Sequence, residues 1–247
     1  MKKILFILLF MTQILFAKNE FDKANNLYRN NQFELAAKAY ESILKEKKHS
    51  AELYFNLGNC YYKMNKVAPA IFNYEKALLM APEDKAIQNN LKFAKKMQID
   101  EIKEVPTVGF SKIISGFTSQ FHYDTWAWIA VAISGVFFLF FLGYYFSPFT
   151  IVKRGFFGLM FLALIGIALC VASGITERNT LNNDHPAIVF AEIVPVKSEP
   201  KSDSPDAFLL HEGTKVRIIE RLDNWRKVVL ADETEGWLDQ SSIKEIK

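Results

Sequence analysis

The chain has 247 residues, half of them hydrophobic, and a formal net charge of +3. Two of the basic residues lie in the leader-like N-terminus, so the remainder is nearly neutral, which excludes a basic surface for nucleic acid. The apolar residues, including 22 phenylalanines, are concentrated in a few segments, a distribution that a single soluble domain does not need.

Residues 1–17 have the pattern of a secretory signal peptide. A basic start is followed by a short apolar segment, and Ala17 provides the small residue at its end. Because Leu15 replaces the more usual alanine of the cleavage motif, an uncleaved membrane anchor is the alternative. Both interpretations predict that the chain from Lys18 onward is exported.

Residues 18–100 contain an internal repeat with a period of about 34 residues. The period aligns Asn25 with Asn59 and Tyr40 with Tyr74, and each unit holds two helix-spaced apolar patterns separated by a polar turn. Each unit is therefore predicted to be a helical hairpin.

The second unit carries a recognisable family pattern. It resembles the tetratricopeptide repeat in the stretch 54–61 and in Ala70, Tyr74, Ala77 and Pro82. The resemblance implies two stacked hairpins, of which the first is degenerate, and a capping helix over residues 86–97. Such a short array falls below the usual three repeats, so we expect it to need further contacts for full stability.

In this family the first helices of successive hairpins line a concave groove that binds a peptide. The positions that the resemblance assigns to the groove are Phe21, Asn25, Tyr28, Arg29, Phe55, Asn56, Asn59, Tyr62 and Lys63. Amides can hydrogen-bond a peptide backbone, tyrosine rings can stack, and basic residues attract acidic groups. The alternative is that these are ordinary solvated helix residues. In the groove interpretation, Asn59 and Lys63 are predicted to be dispensable for folding.

Two uncharged apolar segments, 125–146 and 155–175, are each long enough to cross a hydrocarbon layer of about 30 Å. The loop 147–154 between them contains Lys153 and Arg154, and basic residues in short loops favour the cytoplasmic side. We therefore predict a two-pass protein of the bacterial inner membrane whose N-terminal repeats and C-terminal domain are periplasmic.

Two further features accompany the predicted spans. Residues 101–124 precede the first span, and apolar residues recur there at helical spacing, which predicts an interfacial linker on the outer leaflet. In the second span Gly166, Cys170 and Gly174 form a stripe of small residues. The stripe serves either packing within the helix pair or docking of a partner helix.

Residues 186–247, which follow a polar linker at 176–185, have the pattern of a small β-barrel. Charged and β-branched residues alternate in short runs, which is typical of strands. The predicted strand runs are 187–196, 214–222, 225–231, 236–238 and 243–246, and a loop at 197–206 separates the first two.

The spacing of a glycine at 213, a tryptophan at 225 and a late Gly-Trp pair at 236–237 resembles the bacterial SH3 domain. Trp225 and Trp237 are either core residues or aromatic positions of a ligand groove. Some relatives of this domain bind cell-wall peptides, so the resemblance leaves both protein and peptidoglycan ligands open.

The sequence contains no motif that predicts catalysis, a cofactor or a metal site. Phosphate-binding loops, hydrolase and zinc-protease motifs and paired cysteines are absent, and the four histidines are scattered. Cys60 lies in the repeats and Cys170 in an apolar segment, so they are not expected to form a disulfide. We expect a protein that is not an enzyme.

The fold class is therefore a multi-part membrane protein with α-helical repeat hairpins, a transmembrane helix pair and a C-terminal SH3-like barrel. This order of parts, with the DTWAW stretch at 124–128, resembles the BatE proteins of the Bacteroides-type aerotolerance operons. The resemblance implies an inner-membrane adaptor that works with von Willebrand factor A-type membrane proteins and other repeat proteins in oxygen or envelope-stress tolerance. The alternative is a cell-wall anchor whose SH3-like domain binds peptidoglycan.

Overall fold

The computed structural model describes residues 20–103, 114 and 116–247. The predicted signal peptide and residues 104–113 and 115 of the predicted interfacial linker lie outside this part. The chain forms two compact units, and the first combines the N-terminal repeats with the C-terminal residues from His185 onward. The second unit comprises residues 106–184.

The described N-terminal residues of the first unit form helices joined by short turns. Its helices are α1 (residues 20–29), α2 (Phe33–Lys45), α3 (Ala51–Lys63), α4 (Val67–Met80) and α5 (Lys85–Lys95). Side chains fix two of the starts: Ser50 accepts the Leu53 amide at α3, and Asp84 accepts the first free amides of α5. The pairs α1/α2 and α3/α4 are the two predicted hairpins, and α5 follows them.

The repeat period is visible in the backbone of the turns. Asn31 and Asn65 take equivalent positions between the helices of each hairpin, with φ of 58° and 56°. Their amides donate to the carbonyls of Tyr28 and Tyr62 at 3.0 and 3.1 Å. Asparagine tolerates this left-handed conformation, so both hairpins turn in the same way.

Small residues set the distance between the helices of a hairpin. A Cβ on Gly58 would lie only 2.8 Å from the ring of Tyr74, so a larger residue could not keep this contact. In the first hairpin the buried Ala24 occupies the position of Gly58. Tyr40 and Tyr74 belong to the second helices of the two hairpins, and both are fully buried where the helices approach each other closely.

The C-terminal part of the first unit is an antiparallel sheet with strand order β3-β2-β6-β5-β4-β1-β7. The strands are β1 (Pro186–Val189), β2 (Ile193–Lys197), β3 (Asp206–His211), β4 (Lys215–Leu222), β5 (Trp225–Val229), β6 (Glu235–Asp239) and β7 (Ile243–Glu245). A short 3-10 turn, Gln240–Ser242, leads into β7.

The sheet departs from the prediction in three ways. The run 187–196 is two strands, β1 and β2, and β3 was not predicted as a strand. The predicted closed barrel is wrong for this sheet, because β3 and β7 remain unpaired with each other at its two edges. β7 has only three residues, and the next residue, Ile246, is buried in a core formed with the repeats.

Two cores in the first unit serve one module each, and a third is shared. One core lies between α1, α2 and α3, and another lies inside the sheet. The third contains residues of α3, α4 and α5 together with Ile188 and Ile246 from the sheet. The repeats and the SH3-like module are therefore packed together as one body.

The second unit is a pair of long helices, α6 (Tyr123–Phe146) and α7 (Thr150–Asn183). Both are long and apolar enough to cross a membrane, and their outward side chains, such as Leu139 and Ile151, are largely exposed apolar groups. The turn between them is shorter than predicted, because Lys153 and Arg154 already belong to the first turns of α7. α7 also continues through most of the segment predicted as a polar linker.

The small-residue stripe of α7 faces α6. Cys170 is buried with Trp126 and Ala130, and a Cβ on Gly166 would lie 3.5 Å from Ile133. These contacts support packing within the helix pair as the use of the stripe.

Candidate functional site

The repeats contain a hydrogen-bond ladder of tyrosine and asparagine that crosses from one hairpin to the next. In the first hairpin the Tyr40 hydroxyl donates to Asn25 Oδ1 at 2.5 Å, and Asn56 Nδ2 donates to the same oxygen at 3.3 Å. One repeat later the Tyr74 hydroxyl donates to Asn59 Oδ1 at 2.7 Å. Asn90 Nδ2 donates to that oxygen at 2.8 Å.

The ladder gives Asn25 and Asn59 a structural role. Each of their carbonyl oxygens joins the second helix of its own hairpin to the first helix of the next unit, at about 1 kcal/mol for each hydrogen bond. These bonds lead us to expect, against the sequence-based prediction, that Asn59 contributes to folding. The sequence pattern indicated which residues repeat, but it could not distinguish a bond within the fold from one to a ligand.

Beside the second step of the ladder lies a cleft of about 180 Å³, which we call the groove cleft. Its lining residues are Tyr28, Asn59, Tyr62, Lys63, Tyr74, Asn90 and Phe93. Four of these residues are predicted groove positions, drawn from α1 and α3. Tyr74, Asn90 and Phe93 were not predicted, although extending the repeat period by one more unit would have aligned Asn90 with Asn56.

The remaining predicted groove positions do not line this cleft. Phe21 and Phe55 pack against the rings of Tyr40 and Tyr74, with centroids 5.7 and 6.0 Å apart. Asn25 and Asn56 form the first step of the ladder, and Arg29 is exposed at the end of α1.

The groove cleft presents neutral hydrogen-bonding groups and one cation. Burial raises the pKa of Tyr74 and of Tyr28, so both hydroxyls stay protonated at neutral pH. Lys63 is exposed at the edge of the cleft. Amide and hydroxyl groups beside a lysine suit an extended peptide that carries an acidic residue.

Cys60 is the thiol of this module, and it lies fully buried in the core of the first hairpin. Burial raises the pKa of its thiol to about 12. Since the thiolate is the reactive form, this cysteine is chemically inert.

The two tryptophans of the SH3-like module have different environments. Trp237 on β6 is buried, whereas Trp225 at the start of β5 is partly exposed. The backbone beside Trp237 approaches β2 closely, because a Cβ on Gly236 would lie 2.4 Å from Val196 Cγ1.

A single carboxylate, that of Asp100, connects the end of the repeats to the turn between β3 and β4. Asp100 Oδ2 accepts the backbone N–H of His211 and the hydroxyl of Thr214, both at 2.7 Å. The Nδ1 of His211 lies 2.7 Å from Asp100 Oδ1. Burial would raise the pKa of Asp100, but the hydrogen bonds from Thr214 and His211 outweigh it and hold the pKa below 3.8.

Further polar contacts reinforce this joint between the modules. The buried carboxylate of Glu75 lies 2.8 Å from the Lys215 ammonium and 3.4 Å from that of Lys95. Gln98 Nε2 donates to the carbonyl of Gly213 at 2.5 Å, and Gly213 takes a φ of +88°. Together with the bonds of Asp100, the Glu75–Lys215 and Gln98–Gly213 contacts favour one arrangement of the two modules.

Metal-binding geometry was also considered for the described residues. Within residues 20–103, 114 and 116–247, no group of three or more His, Cys, Asp or Glu side chains is placed to hold a metal ion.

Comparisons with known families agree with this architecture at the level of domain type. Residues 51–84 match the sequence model of the tetratricopeptide repeat, and residues 191–245 match that of the bacterial SH3 domain. No curated protein matches the chain. The predictions of a tetratricopeptide repeat, an SH3-like module and two apolar helices are confirmed. Domains of these kinds indicate protein interaction or cell-wall binding.

Proposed function

We propose that this protein is a non-enzymatic adaptor of the bacterial inner membrane, similar to the BatE proteins of aerotolerance operons. The helix pair anchors it, and the repeats and SH3-like module recruit partners of the von Willebrand factor A type and other repeat proteins. The matches to two non-catalytic kinds of domain support a binding role over a catalytic one. The membrane helices support recruitment at the bilayer surface.

The groove cleft is the observation that carries this proposal. Its lining comes from the three first helices of successive units, α1, α3 and α5, with Tyr74 of α4 beneath them. A surface that continues across three helices suits an extended segment of a partner protein. The amide groups there can pair with a peptide backbone, and Lys63 with an acidic side chain.

Three observations support a periplasmic position for both modules. The repeats and the SH3-like module form one compact unit, although the two long apolar helices separate them in the chain, which supports a position on the same side of the membrane. Lys153 and Arg154 near the helix turn favour the cytoplasm for that turn. A bacterial SH3 domain also fits an extracytoplasmic location.

Photocrosslinking in living cells tests the adaptor function. A photoreactive amino acid in place of Lys63, at the edge of the groove cleft, should crosslink to discrete membrane proteins that contain von Willebrand factor A domains. The same group in place of Lys38, which is exposed on α2 outside the cleft, is the matched control. Identical crosslinks from both positions would contradict binding in the groove.

Cysteine labelling tests the proposed topology. The two native cysteines are buried, so single cysteines at Lys103, Ser202 and Thr150 can be followed without replacing them. A membrane-impermeant maleimide should label the first two in intact cells and spare the third. Labelling at Thr150 before lysis would overturn the two-span arrangement.

The alternative, a cell-wall anchor, is favoured by the bacterial SH3 match and by the partly exposed Trp225. The protein in detergent should then sediment with purified peptidoglycan sacculi, and Trp225→Ala should reduce that fraction. Under the adaptor proposal, sedimentation should not exceed that of an unrelated membrane protein.

A further inference from the structure

A second cavity lies between the repeats and the SH3-like module, and it shares no lining residue with the groove cleft. Its volume is about 340 Å³, and it opens to solvent. The repeats contribute Tyr54, Tyr61 and Phe72 to its walls, and the SH3-like module contributes Phe190. We call this cavity the interdomain pocket.

Two lysines, one from each module, converge on one aromatic ring in the interdomain pocket. The Nζ atoms of Lys76 and Lys244 lie 5.7 and 4.7 Å from the centroid of the Phe72 ring. Lys244 Nζ also lies 5.6 Å from the centroid of Phe190. Burial and, secondarily, the charge of Lys244 lower the pKa of Lys76. The two ammonium groups therefore repel each other at a place where an anion would be stabilised.

Within the part of the chain that the structure describes, no carboxylate pairs with either lysine. The two acidic residues of the pocket are engaged elsewhere. Glu41 accepts a hydrogen bond from the Tyr61 hydroxyl, and Glu245 accepts one from Arg221 at 2.8 Å. Cation–π contacts with Phe72 stabilise the lysines only in part, since the rings offer no lone pair to the N–H donors, which are left to solvent.

We propose that the interdomain pocket binds the free carboxylate at the end of a peptide chain, with the Lys76 and Lys244 ammonium groups as its counterions. The aromatic and aliphatic walls receive the terminal side chain. The volume lies at the small end of the range of about 300–1,000 Å³ for small-ligand sites, so it suits a chain end rather than a folded domain. The Glu41 and Glu245 carboxylates in the wall repel a doubly charged phosphate more strongly than a singly charged carboxylate.

A paired peptide library tests this site, which is separate from the proposed groove. N-acetylated random pentapeptides are prepared once with a free C-terminal carboxylate and once as the C-terminal amide. The full chain in lipid nanodiscs is incubated with both pools, and the retained peptides are quantified by mass spectrometry. We expect the acid pool to be retained about tenfold over the amide pool, which corresponds to roughly 1.4 kcal/mol at 25 °C.

Substitutions assign the preference to the pocket. Lys76→Met and Lys244→Met keep an unbranched apolar side chain, and each should reduce acid retention to the level of the amide. Lys38→Met, outside both cavities, should leave the preference unchanged. In the unmodified chain, the acid pool should also protect Lys76 and Lys244 from acylation by an N-hydroxysuccinimide ester.

Several results would overturn the proposal. Equal retention of the two pools would show that the terminal carboxylate is not recognised. A preference that survives both pocket substitutions would move recognition away from the pocket. Acylation of Lys76 and Lys244 that is unaffected by the acid pool would exclude these lysines as counterions. Each of these results leaves the crosslinking test of the groove intact.

Discussion

Replacing Asp100 by alanine should separate the two modules of the first unit. One carboxylate there accepts three hydrogen bonds, from the backbone and ring of His211 and from the hydroxyl of Thr214. Hydrogen bonds to a charged group contribute about 1.5–3 kcal/mol each, but the three share one acceptor group and do not add. The side chain is also 14% exposed, so water replaces part of the loss. We expect Asp100→Ala to cost about 2–4 kcal/mol.

Hydrogen–deuterium exchange of the full chain in nanodiscs measures this cost locally. Protection should fall in the turn between β3 and β4, and in the segment after α5, because the bonds connect these two places. Asp203→Ala provides the matched control: Asp203 is an exposed aspartate of the SH3-like module, and its replacement should change stability by less than about 0.5 kcal/mol. If Asp100→Ala behaves like this control, the carboxylate does not hold the modules together.

The pH dependence gives a second test of the same bond. The folded-state pKa of Asp100 lies below its ordinary value of 3.8, so its contribution is fully present above that value. The contribution is lost as the pH falls through the lower folded-state pKa. The stability difference between the unmodified chain and Asp100→Ala should therefore be large at neutral pH and shrink only below about pH 4. A difference that vanished already near pH 6 would refute this reasoning.

Three further substitutions follow from close contacts. Gly213→Ala places a Cβ 2.8 Å from Val67 on a residue whose φ is +88°. The substitution should lower the stability measured by hydrogen exchange in β3 and β4 by about 1–3 kcal/mol, and a loss under about 0.5 kcal/mol would contradict the backbone strain. Gly236→Val places side-chain atoms where they would clash with Val196. The substitution should destabilise the SH3-like module by about 1–3 kcal/mol and lower its thermal midpoint, and an unchanged midpoint would contradict the close approach. Asn59→Ala should destabilise the repeats by about 1–3 kcal/mol in circular dichroism melts, because two hydrogen bonds are lost. Lys63→Ala should change the stability by less than about 0.5 kcal/mol, and equal melting curves for the two variants would refute a structural role of the ladder.

Local patterns predicted the helices of the repeats because their determinants lie close together in the sequence. The small residue at Gly58, the polar turns at Asn31 and Asn65 and the period itself can all be read from one or two units. The groove was predicted in part for the same reason. Asn90 was missed because the groove positions were not carried into the predicted capping helix, and the bonds of Asn59 depend on side-chain directions that a period does not specify.

The sheet was harder to predict where the residues in contact lie far apart in the sequence. β3 has an apolar run without regular alternation, and it follows a loop rich in charge, so the strand pattern is weak there. The contacts of Asp100 with His211 and of Gln98 with Gly213 join residues more than 100 positions apart. In the sequence, Asp100 is one acidic residue in a polar stretch, and nothing local distinguishes it from a solvated charge.

The packing of the SH3-like module explains how so short a repeat array can be stable. Two hairpins and one further helix are fewer than the three repeats that such arrays usually need, because the last helices have no neighbour on which to bury their apolar face. Here Ile188 and Ile246 enter the core of α4 and α5, and Phe190 packs edge-on against Phe72 at 5.6 Å. The C-terminal module thus takes the place of the missing repeat. Since this module follows both long apolar helices in the chain, the second hairpin acquires these core contacts only after the module has been synthesised.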